Sequence, residues 1–280
     1  MSTRHLERAP ERQTAAARAH QTHKKMALLA WYAAAALLFF AVPLIGTDWL
    51  GLQPDLYYLG YFTVAVVFFA VFVTRHATEL RELWTFHLRS SLLVGAAVGA
   101  LLAFGIAQQV GTEHARGWHF GFELVWRGLV YGTVDALTLY VFPAAVAFLL
   151  LGGNRAGAAR KAAVAGLTLV LSMFVTATYH LGYSEFRGST LRYPEIGAVM
   201  ANVPTVLTGN PVGAVVVHTT MHVSAVVHQR DGGDQHMLPP RVDGSYPDHG
   251  SSDLAAALAA GWLLAAAVAA TAVVRHRTST

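Results

Sequence analysis

Residues 119–152 read HFGFELVWRGLVYGTVDALTLYVFPAAVAFLLLG, an apolar stretch broken by Glu123, Arg127 and Asp135, with His119 at its edge. A helix of that length would run about 50 Å at 1.5 Å per residue, whereas the hydrocarbon core of a bilayer is about 30 Å thick. The segment is expected to be a membrane span that tilts, kinks at Pro143 or projects beyond the lipid. Cutting it into two spans would carry Arg155, Arg160 and Lys161 to the side away from the other basic segments, so one long helix is the better reading.

Working outward, further apolar segments fall at about 26–46, 56–74, 88–109, 161–183, 196–208, 211–228 and 253–274. If each is one span, the chain is an all-α integral membrane protein with about eight transmembrane helices. Composition points the same way, with 54% of residues hydrophobic and only 13% charged. An ordinary soluble domain carries roughly 25% charged residues to cover its wet surface. Cysteine is absent, which excludes disulfides, thiolate ligands and thiol nucleophiles; a metal would have to rest on histidine and carboxylate. The net charge of +4 does not mark a nucleic-acid partner, because the basic residues gather at helix ends and not along one face. The partner they imply is the bilayer.

The first 25 residues are polar and hold six Lys or Arg. They are expected to form a disordered basic tail ahead of a single membrane domain over 26–275, followed by a short C-terminal tail at 276–280. The apolar run after the tail is longer than a signal-peptide core and is followed by no small-residue cleavage pattern, so it reads as a retained helix. Under the eight-span division, 14 Lys or Arg fall in the N-terminal tail, the 75–89 and 153–161 connections and the C-terminal tail, and five fall in the alternate loops. That asymmetry places both termini in the cytoplasm of a cell-membrane protein. The sixth segment is short, carries Asn202 and Pro204, and ends at Thr208-Gly209-Asn210-Pro211, a turn sequence; it is expected to be a short or re-entrant helix. Residues 229–252, rich in Asp, Gly, Pro and His, read as a mobile loop. The Ala-rich last segment reads as a packing helix.

Ionisable groups inside a span cost several kcal/mol unless partnered, so each is a candidate for function. Glu123 and Arg127 lie near the start of the fourth span, Asp135 deeper in it, His180 near the end of the fifth, and His218 and His222 in the seventh. With the fourth helix entering from outside and the fifth and seventh leaving there, Glu123, His180 and His222 are expected at one depth in the outer half of the membrane. Glu123 and Arg127 are i and i+4, the favourable order for an ion pair, and His218 and His222 share that spacing and hence one helix face. The plain structural alternative is that Glu123 and Arg127 neutralise each other while the histidines hydrogen-bond between helices as packing groups.

The stretch Phe122-Glu123-Leu124-Val125-Trp126-Arg127-Gly128 resembles the first motif of the CPBP (Abi) family of glutamate-dependent intramembrane proteases, which includes the CAAX prenyl proteases and bacteriocin-processing proteins. Phe174 through His180 is similar to the family's second motif, and His218-Thr219-Thr220-Met221-His222 to its third. The likeness covers about residues 120–228. Two positions depart from the pattern: the family's first glutamate falls on Phe122, and its asparagine on His222. The resemblance implies an eight-helix protease in which Glu123 and His180 polarise a water toward a peptide carbonyl, His218 and His222 donate to the oxyanion, and Arg127 supports Glu123. It implies no cofactor, and a membrane-associated or prenylated peptide or protein as substrate.

A different chemistry is open to the same residues. His180, His218 and His222 with Glu123 form a ligand set suited to zinc, in which three histidines leave an open position and a carboxylate serves as base. Histidine in place of the family's asparagine adds to its appeal. A non-catalytic membrane protein that keeps the cavity is the third reading.

Overall fold

The computed structural model describes residues 8–109, 111, 117–153, 157–228 and 253–278. Every regular element among them is helical: α1 (Arg8–Pro43), α2 (Pro54–Arg75), α3 (Ala77–Thr85), α4 (Leu88–Ala107), the long α5 (Trp118–Leu150), α6 (Ala158–Leu181), α7 (Arg192–Thr208), α8 (Val212–His228) and α9 (Asp253–Thr278). Five of these regions are long and apolar enough to cross a membrane, namely Ala19–Trp49, Pro54–Arg75, Leu88–Ala107, Trp118–Leu150 and Ala158–Leu181. This is the make-up of an all-α membrane protein, with five such helices where the segment count led us to expect eight. The difference arises because Val212–His228 and the apolar part of α9, Asp253–Ala269, are shorter, and α7 has only 17 residues.

Two further expectations change. The N-terminal tail is helical from Arg8, where Ala, Arg, Gln and Glu, all good helix formers, continue α1 backward from the apolar run. The 75–89 connection is a helix, α3, whose Glu79 bonds Lys24 of α1 at 2.8 Å; that ammonium holds the Glu79 carboxyl below the usual carboxylate range. The 229–252 loop lies outside the described residues.

The helix α5 is the axis of the molecule. In its apolar window 83% of residues are buried, against 22–33% for the other four long helices, so the outer helices face lipid and wrap the one that carries the charges. The helix is uninterrupted from Trp118 to Leu150, with π-helical turns at Leu124–Val130 and Leu137–Val141. The second π turn meets Pro143, which has no N–H to offer the Leu139 carbonyl four residues back. Ser172 of α6 donates its hydroxyl to that carbonyl at 2.6 Å, and Asn202 of α7 donates to Ser172 at 2.8 Å. Side-chain donors thus satisfy a backbone group that lipid could not.

One helix, α8, is pinned on two sides. Against α4, Gly95 faces Gly213 so closely that a Cβ on either would overlap the other helix's backbone. Against α5, a Cβ on Gly132 would come within 2.8 Å of the Thr219 Cα. Small residues at such crossings are the usual means of close approach where no water drives association. The start of α8 is set by the Thr208–Pro211 turn: Gly209 has φ of 76°, and the Asn210 side chain accepts the Val212 N–H at 2.9 Å while donating to the Trp84 and Phe86 carbonyls at 3.0 and 2.7 Å. Ser91 of α4 closes the joint by accepting the Gly213 N–H at 2.8 Å.

Close approach makes these glycines sensitive in a way that a glycine with open space beside it is not. Gly213→Ala should lower the thermal unfolding midpoint of detergent-purified protein by several degrees, an overpacking cost of about 1–3 kcal/mol. Gly166→Ala, where an added Cβ meets nothing within 4 Å, should be neutral or stabilising, because alanine is the better helix former. Equal responses of the two variants would contradict this packing.

Candidate metal centre

Asp135 lies in the middle of α5 and is 2% exposed, so its carboxyl needs partners. Tyr61 of α2 donates its hydroxyl to Oδ1 at 2.5 Å. His218 of α8 brings Nε2 to 3.4 Å from Oδ2. One turn further along α8, His222 places its Nε2 3.2 Å from that of His218. The i,i+4 spacing puts both rings on the face that α8 turns toward α5, and the approach at Gly132 brings that face within reach of Asp135.

The donor atoms of Asp135, His218 and His222 all lie within 4.8 Å of one another. Tetrahedral coordination with bonds of 2.0–2.1 Å puts neighbouring donor atoms about 3.3 Å apart, and the 3.2 and 3.4 Å seen on the two sides that meet at His218 fit that spacing. Protons alone serve the group less well. A single His218 Nε2 faces both a carboxylate oxygen and a second imidazole nitrogen; it can donate to both only through a divided bond, and if it accepts from His222 it turns a lone pair toward the carboxylate. A cation among the three lets every atom act as an acceptor. The outer contacts are compatible: Tyr61 bonds Oδ1 and leaves Oδ2 toward the histidines, and the Tyr140 hydroxyl lies 3.4 Å from His218 Nδ1, where it can accept the ring N–H of an imidazole that ligates through Nε2. The Tyr131 ring packs edge-on against His222 with centroids 4.5 Å apart.

The sequence-derived residues divide between two places. His180, His218 and His222 line one cavity of about 330 Å³ together with Asp135. The Nδ1 of His180 is 2.8 Å from the Thr176 carbonyl, a contact that assigns the ring proton to Nδ1 and leaves Nε2 with a lone pair. Glu123 does not line that cavity. It is buried, and its Oε1 lies 3.4 Å from Arg127 Nη1. Arg127 in turn donates from Nε and Nη2 to the two carboxylate oxygens of Asp55, each at 2.9 Å. The expected cluster of Glu123 with three histidines is therefore corrected: the carboxylate among the histidines is Asp135. Glu123 and Asp135 are twelve residues apart, about 18 Å along an ideal helix and about 120° around it, so one helix presents them at different depths and to different neighbours.

Asp135 was visible in the sequence as a charge in the span, and the close contact at its i−3 neighbour Gly132 emerges only from the packing of α8. Asp55 gave none beyond its type, because Pro54-Asp55 borders the second apolar segment and reads as loop. No family model, curated protein or solved structure matches this chain.

The two carboxylate sites should separate by mutation. Arg127→Met strands two buried acids and should cost about 3–5 kcal/mol, seen as a large fall in melting temperature or in accumulation. Glu123→Gln keeps the Arg127–Asp55 pair and should be much milder. A Glu123→Gln protein as damaged as Arg127→Met would mean that Glu123 has a larger part than this geometry gives it.

Proposed function

We propose that this chain is a membrane-embedded, metal-dependent hydrolase whose ion, of the zinc class, is held by Asp135, His218 and His222. The observation that supports it is the spacing of their three donor atoms, buried at the inner end of a cavity. An ion of this class supplies Lewis acidity, lowering the pKa of water toward neutrality and polarising a carbonyl. His180 faces the same cavity with a lone pair on Nε2 and is the group suited to take up and return a proton. Tyr131 lines the same cavity, its hydroxyl 3.0 Å from that of Tyr179, and its ring packs against His222 and helps to orient it. Reaction at an ester or amide carbonyl is the chemistry that this set of groups serves.

The glutamate-type reading implied by the resemblance to the CPBP family asks Glu123 and His180 to share one water. The pairing of Glu123 with Arg127, away from the cavity wall, favours the metal reading and assigns Glu123 and Arg127 a structural role.

Topology belongs to the same proposal. Lys24, Glu79 and Gly152 line one shallow pocket, so the N-terminal segment, the 75–89 connection and the end of α5 share one end of the bundle. We place that basic end, with the Arg275–Arg277 segment, on the cytoplasmic side. A cysteine at Thr78 should be shielded from an impermeant thiol reagent in intact cells and one at Ser189 labelled; labelling of position 78 from outside would reverse the orientation.

Metal content tests the central assignment. Protein purified without chelator should carry about one zinc per chain by elemental mass spectrometry. His218→Ala, His222→Ala and Asp135→Ala should each reduce this to about a tenth or less, and Glu123→Gln should leave it unchanged. Folded wild-type protein that neither retains nor takes up a divalent metal would remove the proposal.

A further inference from the structure

The cavity that holds Asp135 and the histidines extends to α4 and α7, where several of its lining residues are exposed. Its walls on that side are Leu101 and Gly105 of α4 and Ile196, Gly197 and Met200 of α7. Leu101 and Ile196 are each 60% exposed, and in a lipid-facing helix that exposure is to acyl chains, not to water. Along α4 the lining runs from Leu101, six residues or about 9 Å before the end of the helix, to Gln109 just past it, so the opening reaches from the helix tip down into its apolar length. The two glycines keep the mouth clear: a Cβ on Gly105 or on Gly197 would meet nothing within 4 Å. The polarity is graded, with apolar side chains at the mouth, imidazoles and a carboxylate at the inner end, and Gln109, Thr190 and Tyr193 along one rim.

From this gradient we infer that the substrate is a lipid-type amphiphile carrying a long acyl chain, which enters from the bilayer between α4 and α7 with its carbonyl linkage at the histidines and its chain in the mouth. This rests on the hydrolase reading for the chemistry, though not for the passage. A volume of about 330 Å³ equals roughly eleven water volumes, enough for a head group and the first methylenes, with the rest of the chain left in the lipid. An extended peptide fits less well. It would bring unpaired N–H and C=O groups past α4 and α7, whose own backbone groups are spent within their helices and whose lining side chains at the mouth are apolar.

The test uses full-length protein in lipid nanodiscs and two photoreactive probes, a diazirine-bearing palmitic acid and a phosphatidylcholine with the same chain, which distinguish a free fatty acyl compound from a glycerolipid. At least one probe should label residues 97–109 and 192–200 above the other lipid-facing segments, and an excess of its unlabelled form should compete that labelling away. Gly105→Leu and Gly197→Leu, singly and together, should reduce labelling there about fivefold by filling the mouth, with labelling of α9 and bound zinc unchanged. Non-saturable labelling spread evenly over the outer helices, or labelling of these two segments that the wild-type competitor fails to reduce, would overturn the inference. So would stronger labelling of the same segments by a photo-leucine transmembrane peptide than by either lipid probe. Saturable lipid labelling in protein that binds no metal would leave the passage standing and count against the hydrolase alone.

Discussion

A carboxyl group at the centre of a lipid-wrapped helix is the constraint around which this protein is arranged. Asp135 sits on the one helix that the others enclose, and an unpartnered acid there would cost several kcal/mol. Its partners come from two other helices: Tyr61 from α2 and His218, backed by His222, from α8. Bringing α8 close enough requires the glycine crossings at Gly95, Gly132 and Gly213, and fixing where α8 begins requires the Asn210 turn and Ser91. Packing and chemistry are thus one problem here, since the contacts that let α8 approach α5 are those that set the distances at the candidate metal centre.

A second buried charge group has a different part. Arg127 joins Asp55 at the start of α2 to Glu123 at the start of α5, and so ties together two membrane-length helices near one end of the bundle. The bidentate geometry with Asp55 uses the planar fork of the guanidinium, which lysine would not reproduce. Because this group does not line the cavity, its charge is neutralised internally without engaging Asp135, His218 or His222.

Much of the architecture is legible in the sequence because the physics behind it is local. The all-helical apolar make-up, the Thr208–Pro211 turn and the shared face of His218 and His222 all follow from spacing along one segment, although apolar segments alone counted eight spans where five helices have membrane length. What was not legible depends on pairing between distant segments. Depth counted along straight helices set Glu123 beside the histidines, whereas contact with α8 brings in Asp135. Asp55, 72 residues from Arg127, carries no local mark of its role. The helical extension back to Arg8 shows a polar stretch following its helix propensity where composition alone had been read as disorder. His180 lines the cavity, but its bond to Thr176, which sets the ring tautomer, required coordinates.

The central claim is that Asp135, His218 and His222 share one metal ion. X-ray absorption at the zinc edge of purified, metal-replete protein addresses it most directly. The expected spectrum has a first shell of four or so nitrogen and oxygen donors at about 2.0–2.1 Å, with outer-shell scattering from two imidazoles that falls to one in His222→Ala reloaded with excess zinc, and a shell unchanged by Glu123→Gln. A zinc shell without imidazole scattering, or one that loses a ligand on Glu123→Gln and none on His222→Ala, would contradict the account.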